Sequence, residues 1–493
     1  MTWPLLLLIT APAVAGLSTL ATRSRRAVDA LQCALAGTMF VAAALVVETV
    51  IADGRASVGQ FFHADALSAW LDLTIGMVGA TGTLYAVGYV GEQADRGHVS
   101  FSRVRHFFCL FDLYLAAMLT AVNVENIAIM WIALEGSTLS AALLIGFERS
   151  KAALEAGWKY IMLSSVGIAL ALFGTIIMYY ASEHVLGVTS DALRWSELYR
   201  VAGSLDPASV KLAFIFAMIG YGTKAGVAPM HTWLPDAHAE APTAVSAMLS
   251  ANMLTVAVYA ILRFKAVADR TVGPWFSGRL LVGLGLLSVT IAAAFLLVQR
   301  DYKRLFAYSS IEHIGIALIG FGIGGPGVFA AAWHLLNHAL AKSTAFYASG
   351  MVLLRHQHKV LDRVPGLLRQ MPLAGGALLA AGLALAGMPP FGLFVSEVLI
   401  AAGTYAAHPG VAYAFLALLA IAFATLLYPV LRMVLGAPLT PGLALSDRNR
   451  GFISTAVWLN LAALGAIGLQ VPAGLGTLLN SIVGIFTAAV EMP

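Results

Sequence analysis

The sequence predicts an all-α polytopic membrane protein of about fourteen transmembrane helices, with helices 7 and 12 broken in mid-span and two inverted five-helix repeats. Three observations predict it. Across 493 residues only 11% are charged while 60% are hydrophobic, and the mean hydropathy is +0.84. Soluble chains carry roughly 25% charged residues, so a soluble enzyme is excluded, and disorder is excluded because its signature is low hydrophobicity. The apolar residues fall in unbroken runs long enough to cross a bilayer, which needs about 20 residues, rather than in the short alternating segments of a barrel. Two of those runs are interrupted by proline at matching places, five spans apart.

In order, the expected spans are 3–20, 28–51, 66–91, 106–122, 124–147, 154–181, 208–228, 242–266, 276–298, 303–323, 327–354, 373–405, 410–435 and 453–470. The first resembles a signal peptide, with Ala11-Pro12-Ala13 as the cleavage-like site, but its charges (Arg23, Arg25, Arg26) follow the apolar run instead of preceding it. It is read as a retained span. Span 7 stops at Ala228-Pro229 and span 12 breaks at Met388-Pro389-Pro390-Phe391-Gly392. Matched broken helices point to an inverted repeat with an ion or substrate path at the breaks. The expected organisation is therefore helices 1–3 over 1–105, a first repeat of helices 4–8 over 106–266, a second of helices 9–13 over 276–435, and helix 14 with a tail over 436–493. Residues 471–488 are apolar but broken by Pro and Gly, and read as a re-entrant or interfacial piece or the end of a longer last helix.

With the N-terminus placed outside, the loops after spans 1, 3, 5, 9, 11 and 13 hold 19 of the 29 Lys and Arg. That bias predicts both termini outside a bacterial inner membrane. It also removes nucleic acid as a partner, despite a pI near 9.0. One segment disagrees: Arg263, Lys265, Arg270 and Arg279 follow span 8 on the outer side, which calls for partner contacts or a miscounted span. Cys33 and Cys109 lie apart in apolar runs with no Cys/His cluster, which argues against iron–sulfur and structural zinc sites.

Ionisable residues inside a membrane are costly and functional by default. Glu135 falls in mid-span 5 and Lys224 in span 7, one turn before Pro229, and an ion pair between them is expected. A paired, buried lysine is a switchable proton carrier, and the alternative is a static pair that fixes packing. His231 and His238, with Asp236 and Glu240, lie just beyond the first break and read either as the inlet of a proton path or as a capping loop. Further on come Glu312 and His313 in span 10, the stripe His334, His338 and Lys342 in span 11, and Glu397 beyond the second break. The four-residue spacing of the stripe puts it on one helix face. It reads as a wet polar seam. A metal is the weaker reading, because no third ligand lies nearby in sequence, and no histidine arrangement suits haem. No metal and no cofactor is expected.

These motifs carry a resemblance. Lys224-Ala-Gly-Val-Ala-Pro-Met-His-Thr-Trp-Leu-Pro-Asp-Ala-His-Ala-Glu-Ala-Pro resembles the signature of the antiporter-like membrane subunits: the proton-pumping subunits of respiratory complex I, the Mrp antiporters and the membrane arms of group 4 nickel–iron hydrogenases. Trp131 to Glu135, Arg304-Leu-Phe-Ala-Tyr-Ser-Ser, His338 to Lys342 and Pro389 to Glu397 match as well, so that the likeness covers roughly 65–435. Ser309 to Gly315 and Phe147 to Tyr160 look most like the hydrogenase-4 component F subfamily. The resemblance implies fourteen helices in two inverted repeats and a polar axis at the midplane. It also implies that the Glu135–Lys224 pair couples neighbouring subunits and that Glu397 ends the second half-channel. One departure stands out. Many relatives place a lysine on span 8, where this chain has Asn252-Met-Leu-Thr255.

The expected function is a proton-translocating subunit of an energy-converting oxidoreductase complex, with no redox chemistry of its own. The alternatives are an Mrp-type Na⁺/H⁺ antiporter subunit, a proton-conducting partner of a bicarbonate or CO₂ uptake system, and a purely structural membrane arm. Expected partners are other membrane subunits, a peripheral redox or uptake module, and lipids.

Overall fold

The computed structural model describes residues 3–437 and 446–487. Among these the chain is almost wholly helical, and the one sheet is a two-stranded hairpin with Ala56 opposite Ala64. The chain runs α1 (Trp3–Ala21), α2 (Arg25–Asp53), β1 (Ala56–Val58), β2 (Phe62–Ala64), α3 (Ala66–Asp95), α4 (Phe101–Asn123), α5 (Ile127–Ile145) and α6 (Lys151–Leu186). Next come α7 (Trp195–Val201), α8 (Pro207–Lys224), α9 (Trp233–Glu240), α10 (Thr243–Met248), α11 (Leu254–Val272), α12 (Pro274–Leu296), α13 (Tyr302–Ile323) and α14 (Pro326–His356). The last are α15 (Leu367–Gln370), α16 (Pro372–Leu385), α17 (Gly392–Ala407), α18 (Pro409–Leu435), α19 (Asp447–Leu469) and α20 (Ala473–Thr487).

The helix starts follow from local chemistry. Ser24, Ser100, Asn126, Ser150, Asp206, Asp301 and Ser446 each accept a backbone N–H in the first turn of the helix they open. Proline opens α8, α12, α14, α16 and α18, where its missing N–H costs nothing.

Among the described residues eleven helices are long and apolar enough to cross a membrane by length and composition. The other three expected spans coincide with α8, which ends at the first break, with α14, which carries the polar stripe, and with the α16–α17 pair, which flanks the second break. Residues 473–487 form a separate helix, α20. The chain is a multi-pass membrane protein. The most apolar stretch of the α10–α11 segment is wholly buried and that of α18 largely exposed, so the former is the axis of the bundle and the latter its rim. Close packing of α12 on α13 depends on small residues: a Cβ on Gly285 would come within 2.6 Å of the Gly315 carbonyl, and one on Gly278 within 2.5 Å of the Gly322 carbonyl.

The structure corrects two expectations. Residues 235–240 are not a loop but part of α9, so the chain re-enters helix after the first break before turning into α10. The basic residues after span 8 find their contacts within the chain rather than needing an outside partner. Arg263 grips Asp65 with two bonds of 2.6 and 2.8 Å, and its guanidinium stacks 4.1 Å from the Trp195 ring. Lys265 pairs with Asp269 on the next turn, and Arg270 and Arg279 lie over Tyr199 and Trp275. Sequence spacing could not show that the Asp65 carboxylate lies against Arg263, since the two are 198 residues apart.

Candidate functional site: a buried polar axis

The two breaks are the same local structure. α8 ends at Lys224, then Gly226 takes φ +73° and the Val227 N–H reaches back to the Gly222 carbonyl at 2.9 Å. α16 ends at Leu385, then Gly387 takes φ +64° and the Met388 N–H reaches back to the Leu383 carbonyl at 3.0 Å. A left-handed glycine with a six-to-one bond is the Schellman stop, and it satisfies carbonyls that the helix end would leave unpaired. Each stop is followed by a cis X-Pro bond, at Pro229 and Pro390, with Pro389 as the preceding residue in the second.

At the first break Lys224 is fully buried. Its ammonium donates to the Leu134 carbonyl at 2.9 Å and to the Thr138 hydroxyl. The expected ion pair with Glu135 is thus not a contact. No Lys224–Glu135 bridge within 4.0 Å exists among the described residues, although the two groups interact through space. The reason is the direction of Glu135. Ile132, Leu139 and Leu143, which share its face of α5, are 54–60% exposed, so Glu135 lies on the rim-facing side of that helix, where one carboxylate oxygen takes a 3.4 Å bond from Ser165 and the other is buried. Thr138, which sequence reading missed, stands one turn on and takes the lysine instead. Its signal was the i, i+3 spacing from Glu135.

Beyond the break, the Trp233 indole N–H donates to the Thr223 carbonyl at 2.8 Å. His231 is buried beside the Tyr308 ring. His238 is fully buried against Phe346, and neither of its ring nitrogens has a partner among the described residues. Asp236 is held by Arg304 and Lys159, and Glu240 by Lys359 at 2.7 Å. Lys303 and Lys359 both donate to the carbonyl end of α9, a favourable place for cations. They line a cavity of about 350 Å³ with Arg96, Arg103, Glu148 and Glu240.

The halves meet at the π-turn Leu249–Met253 between α10 and α11, where an α-helix is locally widened. Among the described residues the Thr255 hydroxyl bonds only one turn back, to the Ala251 carbonyl in that π-turn. The polar link across the halves is instead Ser250 to Ser310, hydroxyl to hydroxyl at 2.8 Å. Ser310 was visible in the sequence only as part of a motif, and Ser250 was not singled out.

In the second half His334, His338 and Lys342 are fully buried on α14. Lys342 donates to the Phe306 carbonyl at 2.7 Å, and Glu312 is close enough to interact with it through space. His313 lies 3.0 Å from His334, nitrogen to nitrogen, and its ring centre lies 5.2 Å from that of His338. Past the second break, one donor atom each of His313, His334 and Glu397 lie within 4.8 Å of one another. Along the sequence no third ligand lies near the stripe. Two helices packed on α14 now supply it.

Outside the spans the clearest electrostatic feature is Asp65, the N-cap of α3. Burial alone would raise its carboxyl, but the Arg263 guanidinium outweighs burial and holds it below the ordinary range.

The NADH:quinone oxidoreductase/Mrp antiporter membrane-subunit family model matches residues 124–423, which takes in both breaks and the whole axis. The chain belongs to this family. It is 41% identical over 382 residues to a hydrogenase-4 component F homolog of Methylacidiphilum infernorum, covering 77% of this chain and 80% of that protein. It is 29% identical over 346 residues to hydrogenase-4 component B of Escherichia coli, covering 68% of this chain but only 49% of that relative. In fold it resembles a chain of an archaeal membrane-bound sulfane sulfur reductase, with a TM-score of 0.85, 22% identity, and 99% of this chain and 98% of that one covered. A chain of the Mrp complex from a Dietzia species gives the same TM-score at 21% identity and the same coverage.

Proposed function

We propose that this chain is the proton-translocating, antiporter-like membrane subunit of an energy-converting complex of the membrane-bound hydrogenase or complex I type. The observation that carries the reading is the series of buried ionisable groups that lies between the two broken helices. Several of their polar atoms, on Glu135, His238, Glu312 and His338, have no partner among the described residues. Buried polar groups of this kind are satisfied by water, and hydrated ionisable groups in a membrane form proton relays.

The path begins at the basic cavity around Lys303 and Lys359, reaches His238 and His231, and has Glu135 and Lys224 on its first-half side. It crosses by Ser250 and Ser310 to Glu312, Lys342 and His338, and leaves by His313, His334 and Glu397. The breaks at Pro229 and at Pro389-Pro390 lie where the path bends. Their matching Schellman stops support two inverted repeats, 106–266 and 276–435. Electron transfer in a partner module would act on this path by moving charge at Glu135, which faces outward. No step of redox chemistry is assigned to this chain.

The partners of this reading are further membrane subunits and a peripheral module, with lipids at the rim. The setting is a bacterial inner membrane with both termini outside, as the loop charges indicate. The second reading, Na⁺/H⁺ exchange, is favoured by the likeness to the Mrp fold. Proton uptake by the reconstituted complex, measured with and without sodium, separates the two. Transport that needs sodium supports exchange, and sodium-independent proton movement supports the primary reading.

A further inference from the structure

α13, α14 and α17 bring His313, His334 and Glu397 to one point, with a donor atom of each within 4.8 Å of the others. The outer partners of the two rings fix their protons. His313 Nε2 lies 3.1 Å from the Leu385 carbonyl oxygen, which can only accept, so Nε2 carries the hydrogen. His334 Nδ1 lies 2.9 Å from the Ser396 hydroxyl. Ser396 donates its single hydrogen to the Leu393 carbonyl at 2.8 Å, so towards His334 it accepts, and His334 Nδ1 carries a hydrogen too. In the neutral rings, the remaining nitrogens, His313 Nδ1 and His334 Nε2, both present lone pairs, and they face each other at 3.0 Å. Two lone pairs at that distance repel. A cation between them satisfies both, and the Glu397 carboxylate stands beside it.

We propose that His313, His334 and Glu397 form a binding site for a divalent ion of the zinc class, completed by one water. Zn–N bonds of about 2.0–2.1 Å at a tetrahedral angle place two nitrogens about 3.3 Å apart, so the pair opens by only a few tenths of an ångström. Ligating histidines ordinarily donate their other N–H to a carbonyl or hydroxyl, as both do here. Two imidazoles favour late first-row ions over magnesium and calcium. Glu312 acts electrostatically on Glu397, so two carboxylates are at hand to balance the double charge. Glu397 is half-buried at the rim and provides the way in. The binding stands on donor geometry alone. Only its consequence, an ion that closes the outlet of the proton path, rests on the function proposed above.

The test is calorimetric titration of the purified full-length chain with Zn²⁺, and with Co²⁺ as an optical probe. The expected result is one ion per chain and the visible bands of tetrahedral cobalt. His334→Gln and Glu397→Gln should each weaken binding by about 100-fold, and Ser396→Ala, which keeps all three ligands, by about 10-fold. If His334→Gln does not fold, Glu397→Gln at the rim and Ser396→Ala decide. Absence of stoichiometric binding to the wild-type chain, or affinity unchanged in Glu397→Gln and Ser396→Ala, overturns the site. The facing nitrogens would then share a proton.

Discussion

The ammonium of Lys224 donates to the carbonyl of Leu134 at 2.9 Å, while Glu135, the very next residue, lies on the rim-facing side of α5. The lysine is therefore held by neutral oxygens and sees Glu135 only through space. Such a lysine changes its proton affinity when the nearby charge moves, without breaking a contact.

Thr138 is the adjustable half of that arrangement. Thr138→Val removes the hydroxyl that shares Lys224, and a hydrogen bond to a charged group contributes about 1.5–3 kcal/mol. Proton transport by the reconstituted complex is expected to fall about tenfold, while Thr138→Ser retains it. Equal transport in Val and Ser variants would remove Thr138 from the path.

The Arg263–Asp65 pair is structural. Arg263→Met leaves a buried carboxylate unpaired and is expected to destabilise the chain by about 3–5 kcal/mol, read as a lowered Tm in detergent. The double variant Arg263→Met/Asp65→Leu should recover most of the loss. The folded Asp65 lies below its ordinary value of 3.8, so its contribution is complete above that value and is lost as pH falls through the lower folded value. Wild-type Tm should drop in that acid range more steeply than that of the double variant.

The hydroxyl link between halves predicts a functional effect larger than its stability effect. Ser250→Ala should cost about 1 kcal/mol of stability. It should nonetheless lower proton transport several-fold, because Thr255 offers no alternative bridge. A transport rate at the wild-type level would place the crossing elsewhere.

Gly387 holds the second break open for Glu397. Its φ of +64° suits glycine, and a Cβ there would collide with Glu397 Oε2. Gly387→Ala should displace the carboxylate and reproduce the transport defect of Glu397→Gln. Gly283→Ala on α12, where a Cβ meets nothing within 4 Å, is the control and should transport like wild type. Wild-type transport in Gly387→Ala would show that the position of the Glu397 carboxylate does not matter.

Much of this was legible in the sequence because membrane helices are written in local code. Apolar length, proline breaks and the four-residue stripe of His334, His338 and Lys342 all depend on neighbours along one helix. What escaped depends on packing between helices. His313 and Glu397 meet His334 only because α13 and α17 lie against α14. Lys224 prefers Thr138 because α5 is rotated to put Glu135 at the rim. The stop at Gly226 and its copy at Gly387 were visible as letters, but only the prolines were read as the break.

The central claim is that protons cross this chain along its buried ionisable groups. It is tested most directly by acidification of proteoliposomes holding the intact complex, compared between wild type, Lys224→Ala and Glu397→Ala. Loss of a positioned proton carrier ordinarily costs at least about 100-fold in rate, and each variant is expected to lose proton movement on that scale. Wild-type acidification rates in both variants would contradict the account.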